Sequence, residues 1–188
     1  MTSEYMGLAR SILFYVAIVD VITFNGVCVE AAVKLTNIKC VEFDRPFASF
    51  NDCRLKIIQR GIVALNLHVV LHQVPVNNVS VNVNLFKKAS GYRPFLYNIT
   101  ADFCEFMANR KRFPVLNIVL NSFTKSSNIN HTCPYNHDII VKNFVVKDSH
   151  LKYAPLPTGD YLIKIIVGAY NDWKADVKVY LQVIEINN

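Results

Sequence analysis

The sequence predicts a mainly β protein, an antiparallel β-sandwich of immunoglobulin-like architecture with a short helical insert around residues 104–125. Apolar and polar residues alternate along several runs, as they do in strands that bury one face. Proline and glycine residues separate these runs. About seven antiparallel strands with one buried face each must pack as two sheets, face to face.

Seven segments are predicted as strands. The clearest covers residues 79–85, where valine and leucine alternate with asparagine and serine, so that one face is apolar and the other is rich in amides. Comparable apolar stripes run through 63–71, 161–167 and 177–183. The shorter candidates are 33–43, 53–59 and 139–146.

The insert is predicted from a change in periodicity. Between Cys104 and Lys125 the apolar residues recur three and four positions apart, which is typical of amphipathic helical turns. Pro114 divides this segment into two pieces, as a helix start or a break.

Residues 1–31 are predicted to be a cleaved secretory signal. Arg10 precedes a short apolar run that ends in small residues, which is the layout of such a leader. Cleavage after Ala31 is favoured, and cleavage after Cys28 is the alternative. The rival interpretation, a membrane anchor over residues 11–29, is weakened by Asp20, because a charge at mid-helix costs about 2.5–3.5 kcal/mol on insertion scales.

Removal of the leader leaves a single predicted domain, residues 32–188. These 157 residues are enough for one full hydrophobic core. The leader carries one basic and three acidic residues, so its removal raises the formal net charge from +6 to +8. No further segment is long and apolar enough to span a bilayer.

Four cysteines remain in the domain, and an even number in a secreted chain predicts two disulfides. Three pairings are possible. Local spacing favours Cys40–Cys53, which would staple a hairpin, and Cys104–Cys133, which would close the insert. Each bond would add roughly 3–4 kcal/mol by the chain-entropy estimate.

Three N-glycosylation sequons also indicate the secretory pathway. They begin at Asn78, Asn98 and Asn130. Sequons and paired cysteines have meaning only in the secretory pathway, so the protein is predicted to be secreted and extracellular.

No catalytic motif is present, so the protein is predicted not to be an enzyme and to need no cofactor. His68 and His72 are four residues apart in a strand pattern, a separation of about 13 Å, which is too long for one metal ion. His131, Cys133 and His137 are close in sequence, but a zinc site there needs a reduced cysteine. We therefore predict no metal site.

Two basic clusters stand out, Lys87 with Lys88 and Arg93, and the run 110–112. A solvated surface is the favoured interpretation, and nucleic acid is a poor partner for a glycosylated secreted chain. The sharper interpretation is contact with anionic lipid head groups or with an acidic partner surface.

Aromatic residues crowd around the insert and give the best functional hint. A sandwich whose sheets are wedged apart by the insert could hold an apolar ligand in an aromatic-lined space. The predicted lining residues are Phe86, Tyr92, Phe95, Tyr97, Phe103, Phe106, Phe113, Phe123 and Tyr135.

Several segments resemble a large insect family of secreted domains of unknown function. They are KKASGYRPFLYNITADFCEF, NINHTCPYNHDI, PLPTGDYLIKI and ADVKVYL, together with VKLTNIKCVEFD and VPVNNVSVNVNLFKK upstream. That family is distantly similar to the ML lipid-recognition superfamily, which includes the Niemann–Pick cholesterol carrier and the ganglioside activator.

The resemblance implies an ML-like sandwich that opens between its sheets to hold a lipid or another small hydrophobic molecule. Related insect members imply a chemosensory role, with an extracellular receptor as a further partner. ML domains usually carry three disulfides, whereas this chain can form two. The alternative prediction is an extracellular protein-interaction module with a closed core and no ligand.

Overall fold

The computed structural model describes Glu30–Lys147, Ser149 and Leu156–Ile186, and its large compact unit spans Ala31–Ile186. The predicted leader lies outside the described residues except at its last two positions. Within the described residues the named elements are eight strands, two short α-helices and two short 3₁₀ helices (Arg110–Arg112 and Thr124–Ser126). The strands are β1 (Glu30–Glu42), β2 (Ala48–Gln59), β3 (Ile62–Leu71), β4 (Val79–Lys88), β5 (Tyr92–Asp102), β6 (Ile139–Phe144), β7 (Gly159–Ala169) and β8 (Asp172–Ile186). The helices are α1 (Phe103–Ala108) and α2 (Pro114–Phe123).

The strands form two sheets, which confirms the predicted β-sandwich. The five-stranded sheet has the order β1-β8-β7-β4-β5, and the three-stranded sheet has the order β2-β3-β6. Inward-facing residues from both sheets, among them Leu65, Tyr161 and Leu181, form one buried cluster. The alternation of valine with asparagine in β4 is matched by burial of Val81 and Val83.

Strand β5 is absent from the seven predicted strands. It lies at the edge of the five-stranded sheet, and β4 is its one partner among the described strands. Its pairing shifts register between Asn84 and Phe86, and Leu96, opposite this shift, has a positive φ of 59°. The bulge breaks the alternation of apolar and polar residues, and this alternation is the signal from which strands are predicted.

The two disulfides join Cys40 to Cys53 and Cys104 to Cys133, the local pairing that the spacing favours. The hairpin prediction for the first bond is wrong. Cys40 lies on β1, which pairs with β8, and Cys53 lies on β2, which pairs with β3. The bond therefore connects the two sheets across the sandwich and does not close a hairpin.

The helical insert extends the second layer of the sandwich. Its buried residues Phe106, Leu116 and Leu120 pack with Val81 and Val83 on the inner face of β4. The Asp102 side chain accepts a hydrogen bond from the Glu105 backbone N–H (2.8 Å) and caps α1. Pro114 occupies the first turn of α2, where its missing N–H costs nothing.

Candidate ligand site between the sheets

The predicted lining residues fall into three groups. Phe86 and Tyr92 lie on the outer face of the five-stranded sheet, opposite to the face that carries Val83 and Leu85. The Tyr92 ring packs against Tyr180 with ring centroids 5.7 Å apart. The exposed residue Tyr97 belongs to the bulged edge of β5. These three side chains do not share a pocket with the remaining six.

Four of the aromatic residues form a packed chain in and next to the insert. Phe113 contacts Phe106, Phe106 contacts Phe103, and Phe103 contacts Tyr135, with ring centroids 5.9, 5.7 and 6.4 Å apart. Phe106 is 1% exposed and Tyr135 is 3% exposed. These rings fill the space over β4 and β5, so the insert side of the sandwich is closed by its own aromatic side chains.

Tyr135 is tied to the loop that follows the insert. Its hydroxyl donates a hydrogen bond to the His131 carbonyl oxygen (2.6 Å), and its ring lies against the His131 ring. Burial raises the pKa of Tyr135 to about 12. The hydroxyl therefore stays protonated and keeps donating over the physiological pH range.

Several inward-facing side chains of the sandwich are only partly buried. Ile163 on β7 and Leu67 on β3 belong to the middle strands of the two sheets and point toward the core, yet both remain partly accessible to solvent. Val179 on β8 is also only partly buried. The interior is therefore incompletely shielded from solvent at these three positions.

Further aromatic residues surround this partly accessible region. Phe123 packs edge-to-face against Phe144 of β6 (6.1 Å between ring centroids). Phe95 packs against Tyr161 of β7 (5.9 Å). Of the nine predicted lining residues, Phe95 and Phe123 are the two that pack against the buried cluster of Leu65, Tyr161 and Leu181.

Four histidines of the described residues make side-chain contacts, His68 and His72 on β3 or just after it and His131 and His137 in the loop after the insert. His68 Nε2 lies 2.8 Å from Asp138 Oδ2, His72 Nε2 lies 2.8 Å from Ser49 Oγ, and His131 Nε2 lies 2.8 Å from His137 Nε2. Cys133 is oxidised in its disulfide and is no thiolate ligand. Among the described residues no three His, Cys, Asp or Glu side chains converge as a metal site does.

The Asp138–His68 pair gives a pH-dependent prediction. The hydrogen bond from His68, with help from the Leu71 backbone N–H, holds the pKa of Asp138 below its ordinary value of 3.8. The ionised Asp138 carboxylate therefore stabilises the folded protein at pH values above its ordinary pKa of 3.8. This stabilisation is lost as the pH falls through the lowered pKa. We expect His68→Ala to move the pKa of Asp138 back up, as measured by NMR titration of the side-chain carboxyl carbon.

The matched control for this titration is His72→Ala. His72 acts on Asp138 only as a more distant charge and makes its own hydrogen bond to Ser49. We expect a smaller change from this variant. An unchanged Asp138 titration in the His68 variant contradicts the assigned role of His68.

All three sequon asparagines, Asn78, Asn98 and Asn130, are exposed. Asn98 lies on the edge strand β5, where Asn82 Nδ2 donates to Asn98 Oδ1 (2.9 Å) and to Thr100 Oγ1 (2.7 Å). The structure therefore leaves each sequon open to a glycosylating enzyme. In the described part of the chain, no helix has the length and apolar character needed to cross a membrane.

Fold and site together define a disulfide-linked β-sandwich with a helical insert and some inward-facing residues that are only partly buried. Residues 81–163, from β4 through the insert to the start of β7, match the model of a family described as a protein of unknown function (DUF1091). The chain is thus similar to a family of unknown function, as its motifs predict. A search of curated proteins found no match.

Proposed function

We propose that this protein is a secreted carrier that binds a lipid or another small hydrophobic molecule between its two sheets. The observation that supports the proposal is the partial accessibility of Ile163 and Leu67 on the middle strands. Apolar ligands bind in concave, largely preformed spaces of this kind. The packed insert would form one wall of the site, and Phe95 and Phe123 would contact the ligand.

We also propose that the protein is extracellular and that its ligand has a chemosensory role. Two disulfides and three exposed sequons fit an extracellular protein. The resemblance to ML-like insect domains suggests a chemosensory ligand, and we expect no turnover of ester or glycoside substrates. If the protein is secreted, the protein recovered from the culture medium will shift to higher mobility after treatment with an N-glycosidase.

Ligand binding can be tested by filling the proposed space. In Ile163→Trp, the larger side chain projects between the sheets, so we expect loss of bound lipid with little loss of stability. The matched control is Ile166→Trp, because Ile166 lies on the outer face of the same strand. Lipids extracted from both variants are identified by mass spectrometry, and displacement of a fluorescent fatty acid gives affinities.

The two possible failures of this experiment have different meanings. If the space is already filled, Ile163→Trp overpacks the core and costs about 1–3 kcal/mol of unfolding free energy. If the space exists but holds no ligand, the variant is stable, and neither it nor the unmodified protein carries or binds lipid. Either result contradicts the proposed function.

A second candidate function, an extracellular protein-interaction module, is supported by another feature. Strand β6 pairs with β3 only from Leu65 to Val69, so the far end of the β2–β3 hairpin is a two-stranded ribbon. At its tip Ile57 is 75% exposed, and Ile58 is also exposed. A saturable receptor interaction that Ile57→Ser abolishes and Ile163→Trp preserves favours this candidate.

A further inference from the structure

Two adjacent lysines at the end of β4 point to opposite faces of the sheet. Side chains alternate along a strand, and the inward residues of β4 are Val81, Val83 and Leu85. Lys87 continues this inward series, while Lys88 points outward. The register confirms the difference, because Lys87 pairs with Tyr161, which is completely buried in the core.

The Lys87 side chain is held at the end of the sandwich by aromatic rings. Its Nζ lies 5.7 Å from the centre of the Phe95 ring and 5.6 Å from the centre of the Tyr161 ring, within the range of cation–π contacts. Gly159 makes room for the stem, because a Cβ at that position would lie 3.2 Å from Lys87 Cε. The Lys87 ammonium is therefore held beside the Phe95 and Tyr161 rings at the end of the sandwich.

Lys87 also differs from its neighbour in its electrostatic partners. Lys88 Nζ forms an ion pair with Asp160 Oδ2 at 3.2 Å, on the outer face. Among the described residues Lys87 has no carboxylate partner within ion-pair distance, although it is partly buried. A partly desolvated ammonium gains most from a charge-assisted hydrogen bond to an anion.

We propose that Lys87 binds the anionic head group, a carboxylate or a phosphate, of an amphiphilic ligand whose apolar tail lies between the sheets. This inference rests on the proposed function and specifies its ligand class. The head would contact Nζ beside Phe95 and Tyr161, and the tail would extend toward Ile163 and Val179. Neutral molecules of the same length would lack the charged contact.

The test compares ligands that differ only in the head group. Displacement of a fluorescent fatty acid is measured with oleate, oleyl phosphate, methyl oleate and oleyl alcohol. We expect the unmodified protein to bind the anionic ligands at least about tenfold more tightly than the neutral ones, as a hydrogen bond to a charged group implies. Lys87→Met should remove this preference while leaving the binding of methyl oleate unchanged.

Two further variants control for charge and for folding. Lys88→Met removes the neighbouring charge on the outer face and should keep the preference for anionic ligands. Lys87→Arg keeps the positive charge and should retain most of the preference for anionic ligands. If only one of the two anionic ligands shows the Lys87 effect, that ligand identifies the head group.

The outcomes separate this inference from the proposed function. If oleate and methyl oleate bind equally well to the unmodified protein and to Lys87→Met, the role of Lys87 is overturned and the carrier function stands. If Lys88→Met has the same effect as Lys87→Met, general surface charge explains the preference and the role of Lys87 is again overturned. If none of the four ligands binds, both proposals fail.

Discussion

Replacing Phe106 by alanine is expected to lower the free energy of unfolding by about 3–5 kcal/mol. The Phe106 ring is 1% exposed and packs between Phe103 and Phe113, with Leu116 and Leu120 in the same cluster. These neighbours lie in the insert, and the same cluster includes Val81 and Val83 of β4. We expect the strand and the short helices to move too little to fill the space left by a benzyl group. Urea unfolding, followed by tryptophan fluorescence or circular dichroism, measures the loss.

The control for Phe106 is Tyr97→Ala. Tyr97 is an aromatic residue of the same region that is 37% exposed, and surface substitutions of this kind usually change stability by less than about 0.5 kcal/mol. A loss below about 1 kcal/mol in the Phe106 variant would mean that the insert is loosely packed. Fatty acid affinity, measured under conditions where the variant is folded, should be unchanged, because Phe106 belongs to the insert cluster and not to the cluster of Leu65 and Tyr161.

Much of the fold follows from the spacing of apolar residues. The runs around Val81, Ile163 and Val179 alternate with period two, and each became a strand with that face inward. Strand β5 escaped prediction because the bulge at Leu96 breaks the period. Because the bulge interrupts the alternation of apolar and polar residues, that alternation could not reveal this edge strand.

The site was harder to predict than the fold because it depends on how the layers pack. Phe86 and Phe95 are both aromatic residues near the same turn, yet one lies on the outer face and the other packs on Tyr161. Lys87 and Lys88 are likewise indistinguishable by composition, and only the strand register separates them. Cys40 and Cys53 are 13 residues apart, which suggested a hairpin, but the two strands belong to different sheets.

Replacing Cys40 and Cys53 together by serine is expected to lower the free energy of unfolding by about 3 kcal/mol and to weaken ligand binding as well. The sequence separation of 13 residues gives the first figure through the loop-closure entropy of the unfolded chain. The second effect follows from position. Strands β1 and β2 are edge strands of their sheets, and the bond is a covalent link between the two sheets at that edge.

The second disulfide provides the matched comparison. Cys104 and Cys133 are separated by 29 residues, so their double replacement by serine should cost somewhat more stability, about 3.6 kcal/mol. This bond ties α1 to the loop beside Tyr135, where the aromatic chain already closes the sandwich, so the folded variant should bind fatty acid normally. Urea unfolding and fluorescent displacement on both variants separate the two roles. If the two double variants lose equal affinity, the link between the sheets has no special part in holding the ligand space.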